Sequence, residues 1–148
     1  MIQHTPKTPD LVADIGGTNA RFALAAPDGR ISAERILSGA AYPDLIQAAA
    51  AYLRDTPEPR PRRAAVAVAT PVTGDWIQFT NSPWSFSTEA ARQALGLERL
   101  VILNDFTALA LALPLLCPAE RRAVGGGTAV EKAPIALLAR VPAWVHRG

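Results

Sequence analysis

The sequence holds one cysteine, Cys117, and one methionine in 148 residues. A lone thiol can build neither a disulfide framework nor a zinc-type cysteine cluster, and it fits a reducing, cytoplasmic setting. Long apolar runs are also missing. The stretch 106–117 is apolar for twelve residues, against the ~20 that a spanning helix needs. The first ten residues, MIQHTPKTPD, lack the apolar core of a signal peptide and read as a loose, polar lead. No internal repeat is present. Charge is sparse and nearly balanced: 19% of residues are charged, for a net +2. The arginine groups Arg60, Arg62, Arg63 and Arg121, Arg122 read as solvated loops rather than a nucleic-acid surface. Neither nucleic acid nor a membrane is therefore an expected partner. Two nucleotide fingerprints are absent as well. No G-x-G-x-x-G opens a helix, and no phosphate loop ends in Gly-Lys-Ser/Thr.

What is present is 49% hydrophobic residues, enough for one globular domain with a real core. The chain is organised around residues 11–24, LVADIGGTNARFAL. An apolar run, Leu11, Val12, Ala13 and Ile15, carries one carboxylate, Asp14. Gly16 and Gly17 follow, then Thr18, Asn19 and Arg21, then a second apolar run. Paired glycines between apolar runs signal a hairpin. They also let backbone N–H groups approach an anion, with the Thr18 hydroxyl as a further donor. An ordinary hairpin turn and a phosphate cradle both fit. Asp14 ends a strand expected to be buried, where an unpaired charge is costly and a metal or water would account for it.

Strands are expected over 11–15, 21–26 and 31–37, the last two joined by the turn Pro27-Asp28-Gly29-Arg30. Helical spacing of Leu45, Ile46, Ala49, Tyr52 and Leu53 predicts a helix over 42–55, with Pro43 in its first turn. AAVAVA at 64–69 reads as a buried parallel strand. A short strand follows at Trp76, Ile77 and Phe79. A helix over 89–95 is capped by Ser87 or Thr88 and closed by Gly96. A strand over 100–103 leads through Asn104 and Asp105 into an apolar helix over 108–113. The fold class is α/β: a mixed sheet, three antiparallel strands first, with helices packed on it.

Asn81 can bind a hydroxyl, since its amide donates and accepts, or simply make a turn. Trp76 and Trp84 read as core or interdomain packing rather than sugar-stacking rings. Asp105 sits where α/β folds place ligands, and it could equally cap the following helix.

Three stretches together, DIGGTNAR at 14–21, TPVTGDWIQFTNSPW at 70–84 and LNDF at 103–106, fall in the order seen in bacterial glucokinases of the hexokinase-like type. The resemblance runs over residues 11–138. It implies the ribonuclease H-like fold of the actin-like ATPases, and phosphoryl transfer from ATP to the 6-hydroxyl of glucose. It implies that Ala13, Asp14, Ile15, Gly16, Gly17 and Thr18 bind the nucleotide, with Asp14 orienting Mg²⁺ through water. Asn81, Asn104 and Asp105 then bind the sugar, with Asp105 the catalytic base. Asn19 and Arg21 are weaker candidates near the phosphates, and Arg21 could instead be a structural ion-pair partner. A non-catalytic sugar-binding or regulatory relative and a kinase of another hexose are the alternatives. A homodimer is open for the full-length form.

The same resemblance implies a strand over 134–138, then a second loop, G-P-G-T-G-L-G, then a larger C-terminal domain. The chain instead ends ARVPAWVHRG. Codons exist that give this tail in one frame and G-P-G-T-G-L-G-A-S-G in the frame begun one base earlier. A TGG codon for Trp144 followed by GTN for Val145 forces one of those glycines. The expectation is loss of one G from a GGG run near Leu138 and Ala139, in the gene or its recorded sequence. Genomic codons that yield the loop in no frame would sink it. Without a C-terminal domain, residues 139–148 are an aberrant tail, and the 148-residue chain is expected to show little or no kinase activity.

Overall fold

A computed structural model describes residues 8–56, 59–128, 130 and 132–138. The expectations for the lead before residue 8 and for the tail 139–148 lie outside the described residues. The chain divides into two compact units, Met1–Asp105 and Phe106–Gly148.

The first unit is built on a five-stranded sheet. Its strands are β1 (Asp10–Ile15), β2 (Asn19–Ala25), β3 (Ile31–Ser38), β4 (Arg63–Val68) and β7 (Arg99–Asn104), in the order β3-β2-β1-β4-β7. β1 pairs antiparallel with β2, and β2 with β3. β4 lies parallel to both β1 and β7. The mixed sheet expected from the sequence is thus present, and Asp10 belongs to β1 rather than to the lead. Glycine at 29, with φ +86, makes the β2–β3 turn, and the Asp28 carboxylate accepts from Arg30 N at 3.0 Å.

One sheet face is the core. Leu11 and Ile15 from β1, Phe22 and Leu24 from β2, Val66 and Val68 from β4, and Ile102 from β7 are all buried. Against them lies α1 (Leu45–Arg54), through Leu45, Ala48, Ala49, Tyr52 and Leu53. Tyr52 stacks on Phe22 with ring centroids 5.3 Å apart. Its hydroxyl donates to the carbonyl of Ala33 at 2.9 Å. Ala33 has φ 53, and the β2–β3 ladder shifts register beside it. The helix begins later than the sequence spacing predicts. Asp44 is its N-cap, accepting from Gln47 N at 2.8 Å, so Pro43 precedes the cap instead of entering the first turn.

A two-stranded sheet, β5 (Trp76–Gln78) with β6 (Ser85–Ser87), follows β4. Then comes α2 (Thr88–Ala94), capped by the Ser87 hydroxyl and closed at Gly96, φ +66. Trp84 is buried, meets Phe79 edge-on at 6.3 Å and donates from Nε1 to Tyr42 O at 2.9 Å. Its packing role holds. Trp76 is 61% exposed, so the core reading fails for it: on the short β5 it lies on the face opposite Ile77, which is buried.

The helix α3 (Asp105–Ala112) carries Asp105 in its first turn, and none of its residues is buried. In the second unit two short 3₁₀ turns follow, Leu113–Leu115 and Pro118–Glu120. The strand expected over 134–138 does not form. No strand partners it among the described residues, and an extended segment needs a neighbouring ladder to satisfy its backbone.

Candidate active site

The three parallel strands end in one row. Ile15, the last residue of β1, pairs with Val68, the last of β4, and Val68 pairs with Asn104, the last of β7. Strand spacing puts the two outer members of this row ~10 Å apart. Whatever follows each strand therefore gathers at one edge of the sheet, where open α/β sheets hold their ligands. Gly16 follows β1, Thr70 stands just past β4, and Asp105 follows β7.

The glycine turn opens a cavity of about 310 Å³, lined by Asp14, Gly16, Gly17, Thr18, Asn19 and Arg21 together with Ile36. Gly16 N–H is committed within the turn, donating to Asn19 O at 2.9 Å. Thr18 O accepts from Gly39 N at 2.8 Å, and a Cβ on Gly39 would lie 3.1 Å from that oxygen. The turn is therefore clamped from outside by a third glycine. Among the described residues no acceptor is assigned to the N–H groups of Gly17 and Thr18, which leaves them suited to an anion's oxygens.

Asp14 is exposed, contrary to the expectation of a buried strand end. Alternation along β1 sends Leu11 and Ile15 into the core and turns Asp14 to the other face. Water therefore solvates it, and burial gives no argument for a metal there. It stands in register opposite Arg21, which pairs with Glu34 at 3.4 Å. The ion-pair reading of Arg21 and its place on the cavity wall thus both hold. Ala13 and Ile15 pack on the core face, so their side chains support the turn rather than line the cavity.

The structure brings Asn81 to this turn. A Cβ placed on Gly17 would lie 3.1 Å from both Cβ and the carbonyl oxygen of Asn81. The loop carrying Asn81 is tied down on its flanks. Thr70, buried, donates its hydroxyl to Gln78 O at 2.9 Å, and Phe79 N donates to Trp84 O at 3.1 Å. Thr70 O in turn accepts from the Asn104 amide at 3.1 Å. Thr70 thus links the Asn81 loop to Asn104, a role that its T-P sequence did not announce. Asp105 is half-buried in the first turn of α3, where the helix N-terminus favours a carboxylate.

A single exposed carboxylate fits Mg²⁺ held through water and substrate phosphates, not a cage of protein ligands. Among the described residues no group of three or more metal-ligating side chains exists. No described helix is long and apolar enough to cross a membrane.

The chain as a whole is similar to known proteins. The "Bifunctional protein glk" of Burkholderia pseudomallei is 51% identical over 130 residues, which cover 88% of this chain and 20% of that protein. The glucokinase of Ralstonia nicotianae is 51% identical over 134 residues, 88% of this chain and 39% of its own length. The chain therefore spans well under half of the curated relatives it matches. The crystal structure of a glucokinase from an Antarctic psychrotroph superposes with a TM-score of 0.74 at 38% identity, covering 84% of this chain and 40% of that one. The fold is thus that of the sugar kinases of the actin-like ATPase type. With the glucokinase profile matching residues 11–140, the chain belongs to the glucokinase family.

Proposed function

We propose that this chain supplies the first phosphate loop and the catalytic base for phosphoryl transfer from ATP to the 6-hydroxyl of glucose. The observation that carries the reading is the common row of Ile15, Val68 and Asn104, which gathers the glycine turn and the Asn104–Asp105 pair at one sheet edge.

The N–H groups of Gly17 and Thr18 and the Thr18 hydroxyl hold phosphate oxygens. Asn81 and the Asn104 amide hold sugar hydroxyls. Such a site rejects analogues that lack those hydroxyls, because its polar groups would be left unpaired. The Asp105 carboxylate accepts the 6-hydroxyl proton as that oxygen attacks the terminal phosphorus. The bond from phosphorus to the ADP oxygen breaks, and glucose 6-phosphate and ADP result. Asp14 would hold Mg²⁺ through water, and the ion would neutralise charge on the phosphates. The remaining barrier is lowered by alignment of the two substrates. The reading fits the cytoplasm, where ATP and glucose meet.

The test replaces the matching segment of the Ralstonia nicotianae glucokinase with residues 11–138 of this chain. The chimera is expected to release ADP only with glucose present. Asp105→Asn is expected to slow it ~10²–10⁴-fold, the usual worth of a general base. A folded chimera that turns over no hexose would replace the kinase reading with a sugar-binding one. Turnover with a different hexose alone would correct the substrate.

A further inference from the structure

We propose that Gly17 is a positioning residue for the sugar: the side chain it lacks sets how far Asn81 reaches over the substrate. The inference rests on the sugar-binding reading of Asn81 given above.

Its ground is the contrast between two neighbouring glycines. Neither has a left-handed φ, so backbone conformation does not demand glycine at either position. A Cβ on Gly16 would meet only Asn19 O, at an ordinary 3.6 Å. A Cβ on Gly17 would sit 3.1 Å from two atoms of Asn81, one of them backbone. Glycine at 17 is thus accounted for by Asn81, whether or not a phosphate binds beside it.

Asn81 cannot yield by swinging the whole loop. Thr70 holds Gln78, and Phe79 and Trp84 bond to one another. Buried Trp84 is anchored on Tyr42. Ser82 Oγ accepts from Trp84 N at 3.3 Å, closing the turn directly after Asn81. A methyl group at 17 must therefore push the loop tip itself by a few tenths of an ångström. Hydrogen bonds from a side-chain amide tolerate little such drift, because useful donor–acceptor distances span only ~0.5 Å. The phosphate turn and the sugar loop consequently share one wall, and a change made on the phosphate side is felt by the sugar.

The experiment uses the ¹⁵N-labelled 148-residue chain, with glucose titrated in the absence of nucleotide. The Asn81 side-chain amide is the reporter. In Gly17→Ala that resonance is expected to move and the glucose Kd to rise about 2- to 10-fold, the worth of one neutral hydrogen bond. In Gly16→Ala both changes are expected to be smaller. Equal effects of the two substitutions on glucose would overturn the proposal, as would a displaced Asn81 resonance with wild-type affinity. The wild-type titration comes first. An Asn81 amide that glucose leaves unmoved there removes the sugar reading itself, and this inference with it. Should Gly17→Ala not fold, Asn81→Gly probes the contact from the other side by deleting one of the two close approaches. The Gly17 amide resonance then moves, and an unmoved one refutes the contact.

Discussion

The two ends of the parallel strands are made differently. At the amino end, charges meet charges. Arg63 makes two bonds to the Asp10 carboxylate, at 2.9 and 2.8 Å, and Arg62 pairs with Glu98. Glu98 N also donates to Arg62 O at 2.7 Å, binding the start of β7 to the start of β4. At the carboxyl end the groups are glycines, amides and threonines, with Asp14 and Asp105 as the carboxylates and one ion pair, Arg21 with Glu34, at the cavity wall. There Gly16, Thr18, Thr70 and Asn104 bond within the chain, and the N–H groups of Gly17 and Thr18 have no acceptor among the described residues. One end closes on its own polar groups, and in the proposed function the other offers the Gly17 and Thr18 N–H groups to a phosphate.

The division is sharpest where it can be broken. Ile15 is fully buried directly before Gly16, so it serves the core and the turn together. Ile15→Ala is expected to destabilise the chain by about 2–5 kcal/mol in chemical denaturation. It should also loosen the glycine turn. A cost far below that range would show that the carboxyl end does not lean on the core.

A second test lies on α2, which feeds the amino end of β7. The Arg92 guanidinium, with help from the Gln93 amide, holds the Glu89 carboxyl at about 2 against an ordinary 4.5. A depressed carboxylate stabilises the fold above its unfolded value and loses that contribution as pH falls. The melting temperature should therefore decline between pH 4.5 and 2, and Glu89→Gln should flatten this part of the profile. An unchanged profile would leave the Glu89–Arg92 pair without energetic weight.

The smallest effect is expected at Arg63→Ala. The pair with Asp10 is solvent-exposed, so its loss should lower the melting temperature slightly in dilute buffer and not at all in high salt. The Asn81 amide should respond to glucose as in the wild type. A salt-independent loss, or a changed response, would mean that the two ends are not separate.

Much of this was legible in the sequence. Alternation and turn residues placed the first three strands, the crossover helix and both parallel strands to within a few residues. Motif order marked the candidate phosphate and sugar residues, which the fold puts after β1 and β7. Pairwise geometry was not legible. Asp14 was expected to be buried, because a short apolar run does not say which of its alternating faces is covered. The Gly16 N–H was counted among the phosphate donors, and only the closed turn reveals its bond to Asn19. β6 was missed because three residues, Ser-Phe-Ser, carry too little alternation to mark a strand. The contact of Gly17 with Asn81 joins positions 64 apart in the chain, and no local pattern encodes it.

The kink at Ala33 bears on how copies of the chain behave together. β3 is an outer strand of the five-stranded sheet, and an unbroken outer strand is a template on which a second molecule can add its own. The left-handed residue and the register shift interrupt that template in the middle of β3. Tyr52 fastens the interruption from the core side, so the strand cannot straighten without giving up a buried anchor. The geometry of this one alanine thus disfavours sheet-to-sheet growth at that edge.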